Sequence, residues 1–185
     1  PEWHDDPFDR ESIVRQWPVS SNHVIVNNHI HDVGFLEKHA CGIAFFGVSA
    51  ADVLVAHNLI HHTPRFGIGL CSGFGRVTLE HNHLHHNALE TADVGAITAN
   101  RWYTYANEPA LTRGVIVRFN FVHDTLGCGA YGRRMEQGGG TKAGGRIWAP
   151  YYSWAIYFDN APMDVHVYGN ITARNTLGGI MISHY

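Results

Sequence analysis

An all-β solenoid of stacked parallel strands is the fold class this sequence predicts, and three features carry the prediction. One short phrase is written five times along 185 residues, helical periodicity is not sustained, and 20 glycines punctuate the apolar runs. The phrase is a β-branched run, an asparagine, and an aliphatic residue two places on. Its copies begin at Val24, Val53, Val77, Val115 and Val165, and their shared asparagines are Asn28, Asn58, Asn82, Asn120 and Asn170. Three residues before each Asn comes Ile25, Val55, Leu79, Val117 or Val167, and two after it Ile30, Ile60, Leu84, Val122 or Thr172. These are expected to be the inward positions of one short strand. A second phrase follows each first one: GIAFFG from Gly42, GIGLCSG from Gly67, GAITAN from Gly95, AIYFDN from Ala155 and GIMISH from Gly179. Each repeat thus holds two or three short strands joined by turns. The one hint of helical spacing is in residues 10–16.

A single repeat cannot bury its Val/Ile face, whereas coils stacked at about 4.8 Å pair every strand above and below. Asn at a fixed bend can bond the next Asn as a ladder, and glycine serves where a second strand opens or a turn needs a positive φ. We therefore expect about five coils of a parallel β-helix over residues 21–185, with residues 1–20 as a cap or an incomplete coil. A propeller or sandwich does not predict an Asn in the same place between loops of unequal length. The asparagines are 30, 24, 38 and 50 residues apart, so later coils carry insertions, at 88–93, 99–113 and 126–153. No cap is evident after Tyr185, so the chain is expected to be a segment of a longer solenoid.

Composition narrows the function classes. Of the residues 45% are hydrophobic and only 16% charged, which fits one well-buried domain. No run reaches the roughly 18 apolar residues of a membrane span. A net charge of −3 with no Lys/Arg cluster removes nucleic acid and anionic membranes from the expected partners. Cys41, Cys71 and Cys128 lie far apart without CxxC spacing, so neither a disulfide framework nor a cysteine zinc site is indicated. The chain opens at Pro1 without the basic and apolar regions of a signal peptide, so processing or truncation is expected to have removed its start.

The 15 histidines concentrate at one corner. Three positions after the ladder Asn come His31, His61, His85 and His123, followed by Asp32, His62, His86 and Asp124. Stacked coils would turn these into two outward columns. Metal binding is one reading, because His and Asp about 5 Å apart can act as ligands. We prefer turn residues of a repeating motif and expect no metal, since a pattern found in four coils is what a structural turn produces. Imidazoles charging together in acid should repel and weaken the fold.

The phrases NNHIHDVG, NLIHHTPRFGI, LETADVGAI, NFVHDTLG, AIYFDN and GNITARNTLGGIMISH resemble those of pectin-lyase-like right-handed parallel β-helix proteins. Within that group they are similar to the polysaccharide-processing proteins around glycoside hydrolase family 141, over residues 20–185. The resemblance implies a right-handed solenoid, a polysaccharide or oligosaccharide partner, an extracellular or periplasmic location, and Asp93 and Asp159 as the catalytic carboxyl pair. Glycosidases place two carboxyl groups about 5–9.5 Å apart. Aligning Ile97 with Ile156 offsets Asp93 from Asp159 by seven residues, about 23 Å along extended strands. Either the chain bends at Asp93, or Asp159 has another partner, for which Glu108 is our alternative; Glu90 ranks with Glu108.

In that register Asp159 neighbours Asn100 and Arg101 on one side and Ser183 and His184 on the other. Arg101, Trp102, Tyr103 and Tyr105 offer the stacking surface and donors that sugar rings require, with Tyr157 and Asn160 completing the polar patch. The structural alternative is that Asp159 caps a turn with Asn160. The Gly-rich insertion from Cys128 carries Arg133, Arg134, Lys142 and Arg146 beside Trp148, Tyr151 and Tyr152, and reads as a flap favouring an anionic glycan or as a plain surface loop. Its glycines lack the strand and helix of a phosphate cradle.

A glycoside hydrolase without a cofactor is the first function expected. A polysaccharide lyase is second; it would call for cationic groups or Ca2+ on the uronate, with Arg101, Tyr157 or His184 as base, since Lys38 and Lys142 lie off the repeat strands. A non-catalytic glycan-binding solenoid is third. The sequence leaves the oligomeric state open.

Overall fold

The structure, a computed structural model, describes residues 20–46, 50–71, 74–100, 113–131, 146–160 and 163–183. The expected cap and the helical hint lie almost wholly outside these residues. The described chain opens with β1 (Ser20–Ser21), β2 (Val24–Val26), β3 (His29–His31) and β4 (Ile43–Phe46). It repeats the order with β5 (Ala50–Ala56), β6 (Leu59–His61) and β7 (Ile68–Cys71), then β8 (Phe74–Glu80), β9 (His83–His85) and β10 (Val94–Asn100). Next come β11 (Arg113–Arg118), β12 (Phe121–His123), a hairpin of β13 (Gly129–Tyr131) and β14 (Arg146–Trp148), and β15 (Ser153–Asp159). The last set is β16 (Met163–Tyr168), β17 (Ile171–Ala173) and β18 (Gly178–Ile182).

Three parallel sheets result, beside the small antiparallel β13–β14 pair. The first runs β1-β5-β8-β11-β16 with β2 also on β5, the second β3-β6-β9-β12-β17, and the third β4-β7-β10-β15-β18. Among the described residues there is no helix. The chain visits the sheets in one fixed order, which is consistent with a parallel β-helix and not with a sandwich or propeller. Inside sit Val55, Ile60, Leu70, Leu79, Leu84, Ile97 and Ile156, each fully buried. Every such side chain contributes about 1.5–3 kcal/mol on leaving water.

The asparagine phrase was expected to be one strand, and it is two. The residue before each ladder Asn has a positive φ: Asn27 57°, His57 56°, His81 54°, Phe119 55° and Gly169 67°. A left-handed residue ends the first-sheet strand, and the Asn then makes the corner. Val55 and Ile60 both point inward, but from different sheets. A second left-handed position lies four residues after the Asn, at Asp32, His62, His86, Asp124 and Arg174 with φ from 51° to 54°. Asp and His tolerate this region better than most residues, which accounts for the composition of that column.

The ladder itself forms as expected. Each amide Nδ2 donates to the next Oδ1, from Asn28 through Asn58, Asn82 and Asn120 to Asn170, at 2.8, 2.9, 3.0 and 2.9 Å. Each backbone N–H donates to the same oxygen, as Asn58 N does to Asn82 Oδ1 at 3.0 Å. A smaller polar column, which the sequence reading did not single out, stands five residues on: Asn87 Nδ2 donates to Thr63 Oγ1, and Thr125 N to Asn175 Oδ1. The histidine columns also stack. His31, His61, His85 and His123 follow one another at centroid distances of 5.2, 4.6 and 5.2 Å, and His62 lies over His86 at 5.2 Å.

The three excursions differ. Residues 88–93 pack on the turn below, with Leu89 N donating to Thr63 O and Glu90 N to Pro64 O. The second begins later than expected, because Ala99 and Asn100 still belong to β10; residues 101–112 lie outside the described residues. The third is not a plain loop at its base, where β13 pairs antiparallel with β14, and Ser153 already opens β15.

Candidate functional site

The site is built on the outer face of the third sheet. Ile156 and Phe158 of β15 point into the core, so Tyr157 and Asp159 alternate to the other side. Even there they are only 4% and 8% exposed. Their partners on β10 are Thr98 and Asn100, and Asn100 in turn pairs with Cys71 of β7. Ser183 N donates to Phe158 O beyond β18, so the expected row Asn100, Asp159, Ser183 is present.

How Asp93 reaches this row is decided by a bend. Gly95 N donates to Thr98 Oγ1 at 2.9 Å, and the same hydroxyl donates to Gly95 O at 3.0 Å, which folds the start of β10 on itself. Just before it Asp93 is left-handed, with φ 57°. The bend requires glycine, because a Cβ at Gly95 would lie 2.7 Å from Tyr157 Cβ. The extended-strand offset therefore does not apply. Tyr157 donates its hydroxyl to Asp93 Oδ1 at 2.7 Å, and Asp93 N donates to Tyr152 O.

Burial first, and then the Asp93 carboxylate, push the Tyr157 phenol above its ordinary value, so it stays protonated as a donor. Arg65, buried beneath this pair, lies over the Phe66 ring at 4.7 Å and donates to Ala92 O. Burial disfavours its charge, and Asp93 supplies the largest opposing attraction. Trp154 stacks on Tyr157 at 5.1 Å, with Tyr152 edge-on to Trp154 at 4.8 Å. Burial raises the Cys71 thiol to about 11 and the Cys41 thiol to about 12, so neither is a thiolate nucleophile near neutral pH.

Asp159 does cap a turn. Its Oδ1 accepts from Asn160 N at 3.0 Å and its Oδ2 from Asn160 Nδ2 at 3.1 Å, where Asn160 is left-handed. Glu90 stands apart in an ion pair with Lys38 at 2.9 Å. Arg101, Trp102, Glu108 and His184 lie outside the described residues. Among the described residues no three His, Cys, Asp or Glu side chains converge on one metal position. Sequence reasoning missed Arg65 and Trp154. Arg65 was in view within the quoted HHTPRFGI phrase, and Trp154 one residue before AIYFDN, but neither occupies a repeated position.

No family model, no curated protein and no solved structure matches this chain. Chemically, the face combines two carboxylates, a protonated phenol that touches one of them, a buried guanidinium and a short aromatic run.

Proposed function

We propose that the chain is a carbohydrate-active right-handed β-helix of five coils, a glycoside hydrolase acting on a complex polysaccharide through Asp93 and Asp159. Right-handedness is supported by the preference of parallel crossovers, about 98% of which are right-handed. The observation that carries the catalytic reading is the Tyr157–Asp93 hydrogen bond. It ties Asp93 to the hydroxyl of Tyr157, whose neighbour two places along β15 on the same side of the strand is Asp159. Two carboxylates on one face are what acid and base, or acid and nucleophile, require. Tyr152 and Trp154 supply the stacking surface for a sugar ring. An extracellular or periplasmic setting and an acidic glycan complete the proposal, the latter resting on the cations of the insertion.

Of the lyase bases considered, Tyr157 is a poor one, since its raised phenol holds its proton; this ranks hydrolysis above elimination. A second reading, a glycan-binding solenoid without catalysis, is favoured by the engagement of both Asp159 oxygens with Asn160.

One assay separates the three. On a panel of neutral and acidic polysaccharides, hydrolysis yields new reducing ends without the ultraviolet absorbance of an unsaturated product. Asp93→Asn and Asp159→Asn should each lower that rate by about 10²–10⁴-fold. Absorbance from the products would replace hydrolysis with elimination. Retention on an insoluble glycan with no new ends would leave binding alone.

A further inference from the structure

The histidine corner does something the turn geometry does not require. In each of two central levels, adjacent rings bring the same atom to hydrogen-bond distance, His61 Nδ1 to His62 Nδ1 at 2.6 Å and His85 Nδ1 to His86 Nδ1 at 2.8 Å, where the outer levels pair His31 with Asp32 and His123 with Asp124. Both pairs of rings are nearly perpendicular, at 81° and 86°. The two pairs lie one above the other, since His61 stacks on His85 and His62 on His86. His62 is exposed and the other three rings are half-buried, so solvent ions can reach them.

We propose that the His61–His62 and His85–His86 pairs each chelate a divalent transition-metal ion of tetragonal preference, Cu2+ or Ni2+, through their facing Nδ1 atoms. With metal–nitrogen bonds of about 2.0–2.1 Å, these N···N spans subtend about 79–86° at the metal, close to the cis angle of square or octahedral coordination and short of the tetrahedral one. Each pair supplies two ligands and leaves the other positions to water. Binding to the neutral rings releases no proton. Each neutral imidazole keeps its proton on Nε2 while the metal takes Nδ1. For His61 that proton faces His29 Nε2 at 2.8 Å, the partner that orients a ligand ring.

An independent observation points the same way. In the next level the equivalent pair is His123 and Asp124, and there the chain itself supplies a cation. Arg174 Nη2 lies 3.2 Å from His123 Nδ1 and donates to Asp124 Oδ2 at 2.7 Å, while its Nε donates to Asp124 Oδ1. His123 Nδ1 and Asp124 Oδ2 also meet directly at 2.6 Å, so the guanidinium bridges, as a cation, a pair already in contact. At the two central levels His62 and His86 have no such cation among the described residues. The proposal is independent of the carbohydrate reading.

The test titrates the untagged full chain with Ni2+ by calorimetry and records the electron paramagnetic resonance spectrum of its Cu2+ complex. Two sites should appear, the second weaker because the chelates are only about 4.8 Å apart. His62→Ala/His86→Ala should weaken Ni2+ binding by about 100-fold or more. His57→Ala/His81→Ala, which removes rings stacked at 5.0 Å one corner position earlier, should leave it unchanged. The copper spectrum should show coupling to two imidazole nitrogens per ion. Wild-type affinity in a folded His62/His86 double variant would overturn the proposal. Should that variant fail to fold, a wild-type copper spectrum without a coupled nitrogen pair would overturn it instead.

Discussion

The asparagine corner and the outer face of the third sheet are made from the same stacked strands, and they differ in what repeats. At the corner, side chain and backbone both recur: Asn donates to Asn at each level, with left-handed residues one before and four after. On the sheet face only the backbone register recurs, and the row that contains Asp159 reads Cys71, Asn100, Asp159. Repetition marks the positions that hold the coils together. Singular residues break the repeat on this face, and the bend at Gly95 occurs at one level, beside the Tyr157–Asp93 hydrogen bond.

The comparison can be broken most severely at the ladder. Asn82 is 1% exposed and takes part in bonds to Asn58, Asn120 and Val55 O. Asn82→Ala should cost about 3–5 kcal/mol, because several buried partners lose their bonds together. Asn28→Ala, at the exposed end of the ladder, should cost clearly less in the same urea denaturation series. Equal losses at both would show that the ladder is not cooperative.

Gly95→Ala sharpens the contrast from the other side. The added methyl meets Tyr157 Cβ and Ile97 O at 2.7 Å, so about 1–3 kcal/mol of overpacking strain is expected. Tyr157 should move off Asp93. Activity on the responsive glycan should then fall further than stability does, and a drop in melting temperature with full activity would detach the Asp93–Tyr157 contact from function.

Acid should act on the corner before the sheet face. Burial first, then the charges of His61, His83, His86 and His123, lower His85 from 6.5 to about 4, and His61 and His83 are lowered too. The unfolded chain therefore takes up protons first. Stability is complete above about pH 6.5 and declines as the pH falls from there toward about 4. The metal-free protein should show a lower urea midpoint at about pH 5 than at about pH 7.5, and equal midpoints would contradict it. The smallest effect belongs to Arg174→Ala. It removes a forked ion pair between an exposed guanidinium and the half-buried Asp124, whose loss should shift a denaturation curve only slightly because solvent screens the arginine.

Much of the corner was legible in sequence. Five asparagines with aliphatic residues at −3 and +2 announced stacked strands, and the histidines after them announced columns. The split of that phrase into two strands was not legible, because it depends on a positive φ at residues as unlike as Phe119 and His57. The Thr63, Asn87, Thr125, Asn175 column was written at a fixed offset but in two residue types, which hid it. At the site, Asp159 was readable from the AIYFDN phrase and its register beside Asn100. The reach of Asp93 was not, and neither were Arg65 and Trp154.

The division follows from the physics of a solenoid. Sequence alone determined what every coil must satisfy locally and identically: an apolar residue facing in, a polar side chain at the bend that bonds its own copy a level away, and residue types able to turn left-handed. Tertiary structure decided what happens once. Whether Tyr157 meets Asp93, and whether Arg174 or solvent faces a given histidine, depend on contacts between different levels. Those contacts join residues that no local rule pairs, and only the stacked coils bring them within hydrogen-bond distance.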